Sequence, residues 1–151
     1  MKIIATAIAS NPEQAPPELV RSLQAEDNWW RRIEAEFGSL SSTETAQLLG
    51  ASPKNRNYAS SRRGAGQLLG FTRKNSARFP KFQFDLARGS ILEVIPEVIG
   101  IARNHGINDE DVILWMVGRS TWFAGQDRPV DHLDNREMLL AAARDEFGAA
   151  W

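Results

Sequence analysis

The chain contains no cysteine among its 151 residues. That removes disulfides, thiolate metal sites and a cysteine nucleophile together, and it fits a reducing compartment. Histidine is almost as scarce. His105 and His132 are the only two, and no His-Glu-x-x-His or Glu-x-x-His spacing accompanies them, so neither a metal site nor an acid–base pair can be built from spacing. Asp127, Asp131 and Asp134 cluster near one loop, where carboxylates serve more often as caps and solvated charge than as ligands. The expectation is a non-enzyme with no cofactor, no metal and no catalytic residues.

Long apolar runs are missing too. None approaches the ~18 residues of a membrane span. The opening "MKIIATAIAS" has one Lys and an apolar run of seven residues, followed by "NPEQAPPELV". A secretory signal needs ~7–15 apolar residues behind a more basic start. The expected setting is therefore cytoplasmic, with no membrane partner.

The most informative absence is local. Net charge is −1, yet residues 45–84 carry eight Lys/Arg and no Asp or Glu. Residues 1–44 carry four Lys/Arg against seven acids, and residues 85–151 carry six against twelve. Solvated faces interleave both signs, so forty residues without a carboxylate point to an anionic partner.

Within and around that segment the order of elements is legible. "WWRRIEAEFGS" (29–39) places Trp29, Ile33 and Phe37 on one helical stripe, with Gly38 as a stop. "LSSTETAQLLG" (40–50) opens on a capping box, Ser41 with Glu44, and closes on Gly50. "ASPKNRNYASSRRGAG" (51–66) predicts a second helix with Ser52 as N-cap and Pro53 at its first position. Lys54, Asn55, Arg56, Asn57 and Tyr58 then fall in its first turns, followed by Arg62 and Arg63. Arg and Asn read guanine and adenine edges, and Lys meets phosphate. "QLLGFTRKNSARFPKFQFD" (67–85) reads as a β-hairpin with "KNS" as the turn and Arg73, Lys74 and Arg78 at or beside its tip. Two short helices followed by a basic hairpin give the layout of a winged helix-turn-helix. The glycines of "GAGQLLG" lack the Gly-Lys-Ser/Thr and the preceding strand of a phosphate loop. Phe79, Phe82 and Phe84, two of them at alternating positions, are expected to be core rather than stacking aromatics for a single strand.

The last third is acidic and helical. "SILEVIPEVIGIARNHG" (90–106) shows a stripe from Ile91 to Ala102, with Pro96 predicting a kink or break at Ile95. "NDEDVILWMVG" (108–118) starts at an Asn108 cap with acids in its first turn. Pro129 opens a single helical turn, and residues 135–151 form a final helix with Met138, Leu139, Ala142, Ala143 and Phe147 inward. The fold class expected is mainly α, divided into a helical lead or arm (1–38), a winged helix-turn-helix (39–85) and a small helical module (86–151).

The segments "LSSTETAQLLGASPKN", "GQLLGFTRKNSARFPKFQFD", "ILEVIPEVIGIAR" with "DVILWMVGRSTWFAGQDRPVDHL", and "MLLAAARDEFG", in that order, resemble antitoxins of the Xre/MbcA/ParS type that carry an N-terminal helix-turn-helix. The resemblance covers about residues 38–147, and "TWF" departs from the family's aliphatic residues before the loop glycine. It implies an antitoxin that neutralises a RES-type, NAD-consuming toxin through its C-terminal module, with Arg144, Phe147 and Trp151 as toxin contacts. It also implies autorepression by binding the chain's own promoter. Independently of it, paired half-sites make a homodimer the expected DNA-binding form. The alternative is a stand-alone helix-turn-helix regulator whose C-terminal module dimerises or senses a ligand.

Overall fold

The computed structural model describes residues 17–52 and 54–148, apart from the side chains of residues 22 and 23. Readings that fell on Pro53, on Trp151 or on the first sixteen residues lie outside it. The described chain is mainly helical, with a small antiparallel sheet. It divides into two units between Glu36 and Phe37.

The first unit is helix α1, Pro17–Glu36. It begins twelve residues earlier than its apolar stripe announced, because residues 18–28 contain no Gly or Pro to stop it. Asp27 and Arg31 pair along it at 2.8 Å, and Arg32 lies over the Trp29 ring at 5.8 Å. Ile33 is buried as the stripe predicts, but its tryptophan partner is Trp30 rather than Trp29, which is exposed.

The second unit begins with β1 (Ser39–Leu40), α2 (Ser42–Leu48) and α3 (Tyr58–Gly64). β2 (Phe71–Arg73) and β3 (Ser76–Pro80) follow as a hairpin. β3 is the central strand of the sheet, in the order β1-β3-β2. Leu40 sits opposite Phe79, and Phe71 opposite Arg78. Lys74 and Asn75 close the hairpin, both at positive φ (51° and 63°), the two-residue turn whose twist matches that of its strands. Leu68 and Leu69 precede the strand rather than belong to it, but both are fully buried.

A core of Ala59, Leu68, Phe79 and Phe84, with Leu40, Leu48, Leu49, Ala77 and Ile91 packed on it, joins the helices to the sheet. The phenylalanines at 79 and 84 are core, and Phe82 meets Phe37 edge-on at 5.4 Å. One polar side chain belongs to this core. Gln83 accepts from the Leu69 amide (2.7 Å) and donates to the carbonyls of Leu69 (2.8 Å) and Pro80 (3.0 Å). Fully buried, it satisfies backbone groups at the open end of the β2–β3 hairpin.

A short hairpin of β4 (Phe84–Asp85) and β5 (Ser90–Ile91) leads to α4 (Val94–Asn104), α5 (Asp109–Val117) and α6 (Arg136–Gly148). α4 packs on α6. The expected kink at Ile95 is absent. α4 starts at Val94, so Pro96 falls in its first turn, where the missing N–H has no intrahelical carbonyl to lose. Asn108 caps α5 by accepting from the Asp111 amide at 2.9 Å, and Pro129 opens a single 3-10 turn ending at His132. In α6, Leu139, Leu140, Ala142, Ala143 and Phe147 are buried while Met138 is exposed. Met138 faces outward because the buried stripe is set by Leu139, Ala142 and Ala143.

Candidate nucleic-acid interface

The helix pair is set by its caps. Ser41 Oγ accepts from the Glu44 amide (3.1 Å), and Glu44 Oε1 accepts from the Ser41 amide (2.9 Å). The Ser41 backbone N–H, aided by its hydroxyl, holds the Glu44 carboxyl below its ordinary value. Gly50, at φ +83°, turns the chain out of α2, and the Ala51 amide bonds back to Ala46 O at 2.8 Å.

The second helix begins later than its sequence promises. Lys54, Asn55, Arg56 and Asn57 do not form its first turns. They lie in two tight turns before α3, which starts at Tyr58. Ser52 is the reason: its hydroxyl accepts from the Lys54 amide (3.2 Å) and its carbonyl from the Asn55 amide (2.9 Å). Serine closing such a local turn competes with the helix it was expected to cap. Asn57 precedes α3 without a side-chain cap bond. All four residues from Lys54 to Asn57 are exposed.

The cations of α3 have different neighbours. The Arg62 guanidinium lies over the Tyr58 ring at 5.5 Å, both side chains half-buried. Arg63 turns inward, where its Nε donates to Asp109 Oδ2 at 2.8 Å and its guanidinium approaches Glu110 at 3.6 Å. On the hairpin, Lys74 is exposed at the tip and Arg73 is half-buried beside it. Arg78 bridges strands, with Nε donating to Ser39 Oγ (2.9 Å) and a terminal nitrogen to Ser39 O (3.0 Å). The structure therefore brings Lys54, Asn55, Arg56, Asn57 and Lys74 to the surface. Arg63 and Arg78 serve the fold's internal bonding.

The partner of Arg63 was not legible as such. Asp109 looks like an ordinary first-turn acid of α5, yet it is buried to 9% exposure and also accepts from the Gly70 amide at 3.2 Å. A Cβ at Gly70 would meet the Phe79 ring at 2.9 Å and Arg63 Cδ at 3.0 Å, so only glycine fits there. Arg103 adds a second tie, donating to the carbonyls of Gly64 (2.9 Å) and Arg63 (2.6 Å) at the end of α3. Residues on either side of position 85 are thus bonded within one unit.

At the C-terminal end, Arg144 is exposed. Phe147 is buried at 3% exposure and meets Trp115 edge-on at 5.0 Å. Its ring belongs to the core, and Trp151 lies outside the described residues. The loop carboxylates are occupied locally. Asp131 accepts from the Arg128 amide at 3.0 Å, and Asp127 lies 3.3 Å from His132 Nε2 while that ring stacks on Phe123. Burial pushes the Asp131 carboxyl up, but the Arg128 amide and guanidinium outweigh it and leave it below its ordinary value. Among the described residues no group of three His, Asp or Glu could hold a metal, and no helix is long and apolar enough to cross a membrane.

No protein-family model matches the sequence, and no curated protein matches it. Among solved structures, the chain is similar to the NMR structure of Rv2175c. The TM-score is 0.60 at 18% identity, over 77% of this chain and 83% of that one. At that identity the likeness is one of fold alone.

Proposed function

We propose that the chain binds double-stranded DNA through residues 39–85 acting as a winged helix-turn-helix, with α2 and α3 as the helix pair and the β2–β3 hairpin as the wing. The observation that carries this reading is the run of exposed side chains Lys54, Asn55, Arg56 and Asn57 at the approach to α3. It lies inside forty residues that hold eight cations and no carboxylate. Base-edge contacts fall to Asn55, Arg56 and Asn57, and phosphate contacts to Lys54 and Lys74. Arg63 and Arg78 support the scaffold instead. A homodimer on paired half-sites is the expected DNA-bound form.

The biological role we infer is autorepression of the chain's own promoter, as an antitoxin paired with a RES-type toxin. The antitoxin part rests on the family resemblance, and Arg144 is its remaining described surface residue. The burial of Phe147 favours the second reading, a stand-alone regulator, because a ring committed to Trp115 cannot also plug a partner's cleft.

Fluorescence anisotropy with the DNA upstream of the gene tests the first claim. Lys54→Ala with Arg56→Ala is expected to weaken binding at least tenfold with an unchanged melting temperature, each lost base or phosphate contact being worth about 1–3 kcal/mol. Lys74→Ala is expected to lower the slope of log K against log salt by about 0.9. Equal affinity of the double variant and the parent chain for that DNA would remove the proposed surface. Co-purification with the product of the adjacent gene tests the toxin claim: a chain that elutes alone yet binds its promoter is a regulator.

A further inference from the structure

Beside the helix pair the second unit has an open, mostly apolar cleft of about 570 Å³. Leu49 after α2, Tyr58 on α3, Ile91 on β5 and Pro96 on α4 line it. Glu93 belongs to the same lining, exposed and without a side-chain cap bond to α4. The tip of the β4–β5 hairpin borders the cleft through Gly89. That tip carries Leu86, which at 54% exposure is the most exposed large apolar side chain among the described residues. The tip is held firmly. Asp85 accepts from the Gly89 amide through its carbonyl (2.8 Å) and from the Arg88 amide through its carboxylate (3.1 Å). Gly89 takes φ +67° and lies so close to α2 that a Cβ there would come within 2.6 Å of Leu48 O. The Arg88 side chain is 84% exposed and reaches the Asp85 carboxylate only at 3.8 Å, a pair worth little in water. A single exposed leucine needs no explanation. An apolar knob beside an apolar hole, flanked by opposite charges, does.

We propose that this cleft is the docking site for a second copy of the chain, entered by the hairpin tip of that copy. In the pair, Leu86 of each copy lies against Leu49, Ile91 and Pro96 of the other, and Arg88 of each meets Glu93 of the other. Arg88 flanks the knob and Glu93 the hole, so the patch is complementary in charge to its own copy. Because knob and hole share one patch, a single two-fold axis satisfies both copies and the contact closes at a dimer. A tip already held in place loses little freedom on docking. Two hairpin tips bury less than the roughly 1,200 Å² of a stable interface. The dimer is therefore weak in solution and tightens where paired half-sites hold two copies together. The contact itself needs no DNA; its use on paired half-sites rests on the DNA-binding reading.

The test is sedimentation velocity of the full chain from micromolar to millimolar concentration, without DNA, with ¹H–¹⁵N spectra over the same range. A monomer–dimer equilibrium is expected, with concentration-dependent shifts at the Leu86, Arg88 and Ile91 amides. Leu86→Asp is expected to weaken association at least tenfold, the scale of burying one leucine. Its melting temperature should not change, because the side chain is exposed in the single chain. Arg88→Glu and Glu93→Arg are each expected to weaken association several-fold by opposing like charges, and the two together to restore it. The proposal is overturned if the chain stays monomeric at millimolar concentration, or if Leu86→Asp associates like the parent chain. It is also overturned if the double exchange is no better than the single ones. Association that Trp122→Asp abolishes and Leu86→Asp does not belongs to another face, and overturns it as well. The anisotropy assay with the upstream DNA separates the two readings. A monomeric chain that binds that DNA sinks only this contact, and a dimer that ignores DNA sinks only the DNA reading.

Discussion

Asp109 shares one carboxylate oxygen between the Arg63 guanidinium and the Gly70 amide, so its removal strands two donors at once. Asp109→Ala is expected to cost about 2–3 kcal/mol, the scale of a hydrogen bond to a buried charge, read from the urea midpoint. Arg78 makes a companion case. Arg78→Ala is expected to destabilise the fold by about 1–2 kcal/mol, because both bonds to Ser39 are lost, whereas Lys74→Ala, at an exposed tip, leaves the midpoint unchanged. Neither role could be read from sequence. Eight cations look alike in a string, and what separates Arg63 from Arg56 is a carboxylate 46 residues further along. Local pattern carries no information about a bond of that span. The missing acids mark the segment, but not which of its cations reach the surface.

At the scale of elements, what was legible followed from local rules. The Ser41–Glu44 capping box, the Asn108 cap and the 3-10 turn at Pro129, closed by Asp131 on the Arg128 amide, follow from side chains that bond within three residues of themselves, and the turn at Lys74 and Asn75 from their positive φ. Ser41→Ala is expected to cost about 1 kcal/mol and to lower α2 amide protection selectively in hydrogen exchange. The failures came where two local rules compete. Ser52 was legible both as a helix cap and as a turn former, and the turn prevailed, delaying α3 to Tyr58. Pro96 was legible as a breaker, and became harmless once α4 started only two residues before it. Ser52→Ala removes the hydroxyl that accepts from the Lys54 amide. It is expected to change the chemical shifts of residues 54–57 while leaving α3 in place.

For the molecule as a whole, stability should follow its carboxylates. Glu44, Glu97 and Asp131 all lie below their ordinary values in the fold, Glu97 because the Arg136 guanidinium bonds it through both oxygens. A depressed folded-state value means that the stabilisation is fully present above the unfolded-state value and is lost as pH falls through the folded one. The urea midpoint is therefore expected to stay level from neutral pH down to the ordinary carboxylate range and to fall below it. The Glu97–Arg136 share of that slope should fade with added salt, since the pair is solvent-exposed.

The bonds that close α3 also set an order of events during synthesis. Its last carbonyls, at Arg63 and Gly64, take their donors from Arg103, and the Gly70 amide takes its acceptor from Asp109. Each of these partners emerges from the ribosome about forty residues later, seconds later at typical rates of elongation. A nascent chain that ends after the hairpin thus already has the surface that would meet DNA but not the bonds that finish it. Nascent chains arrested before Arg103 should be cleaved by protease near residues 63–70, and those arrested after α5 has cleared the tunnel should resist.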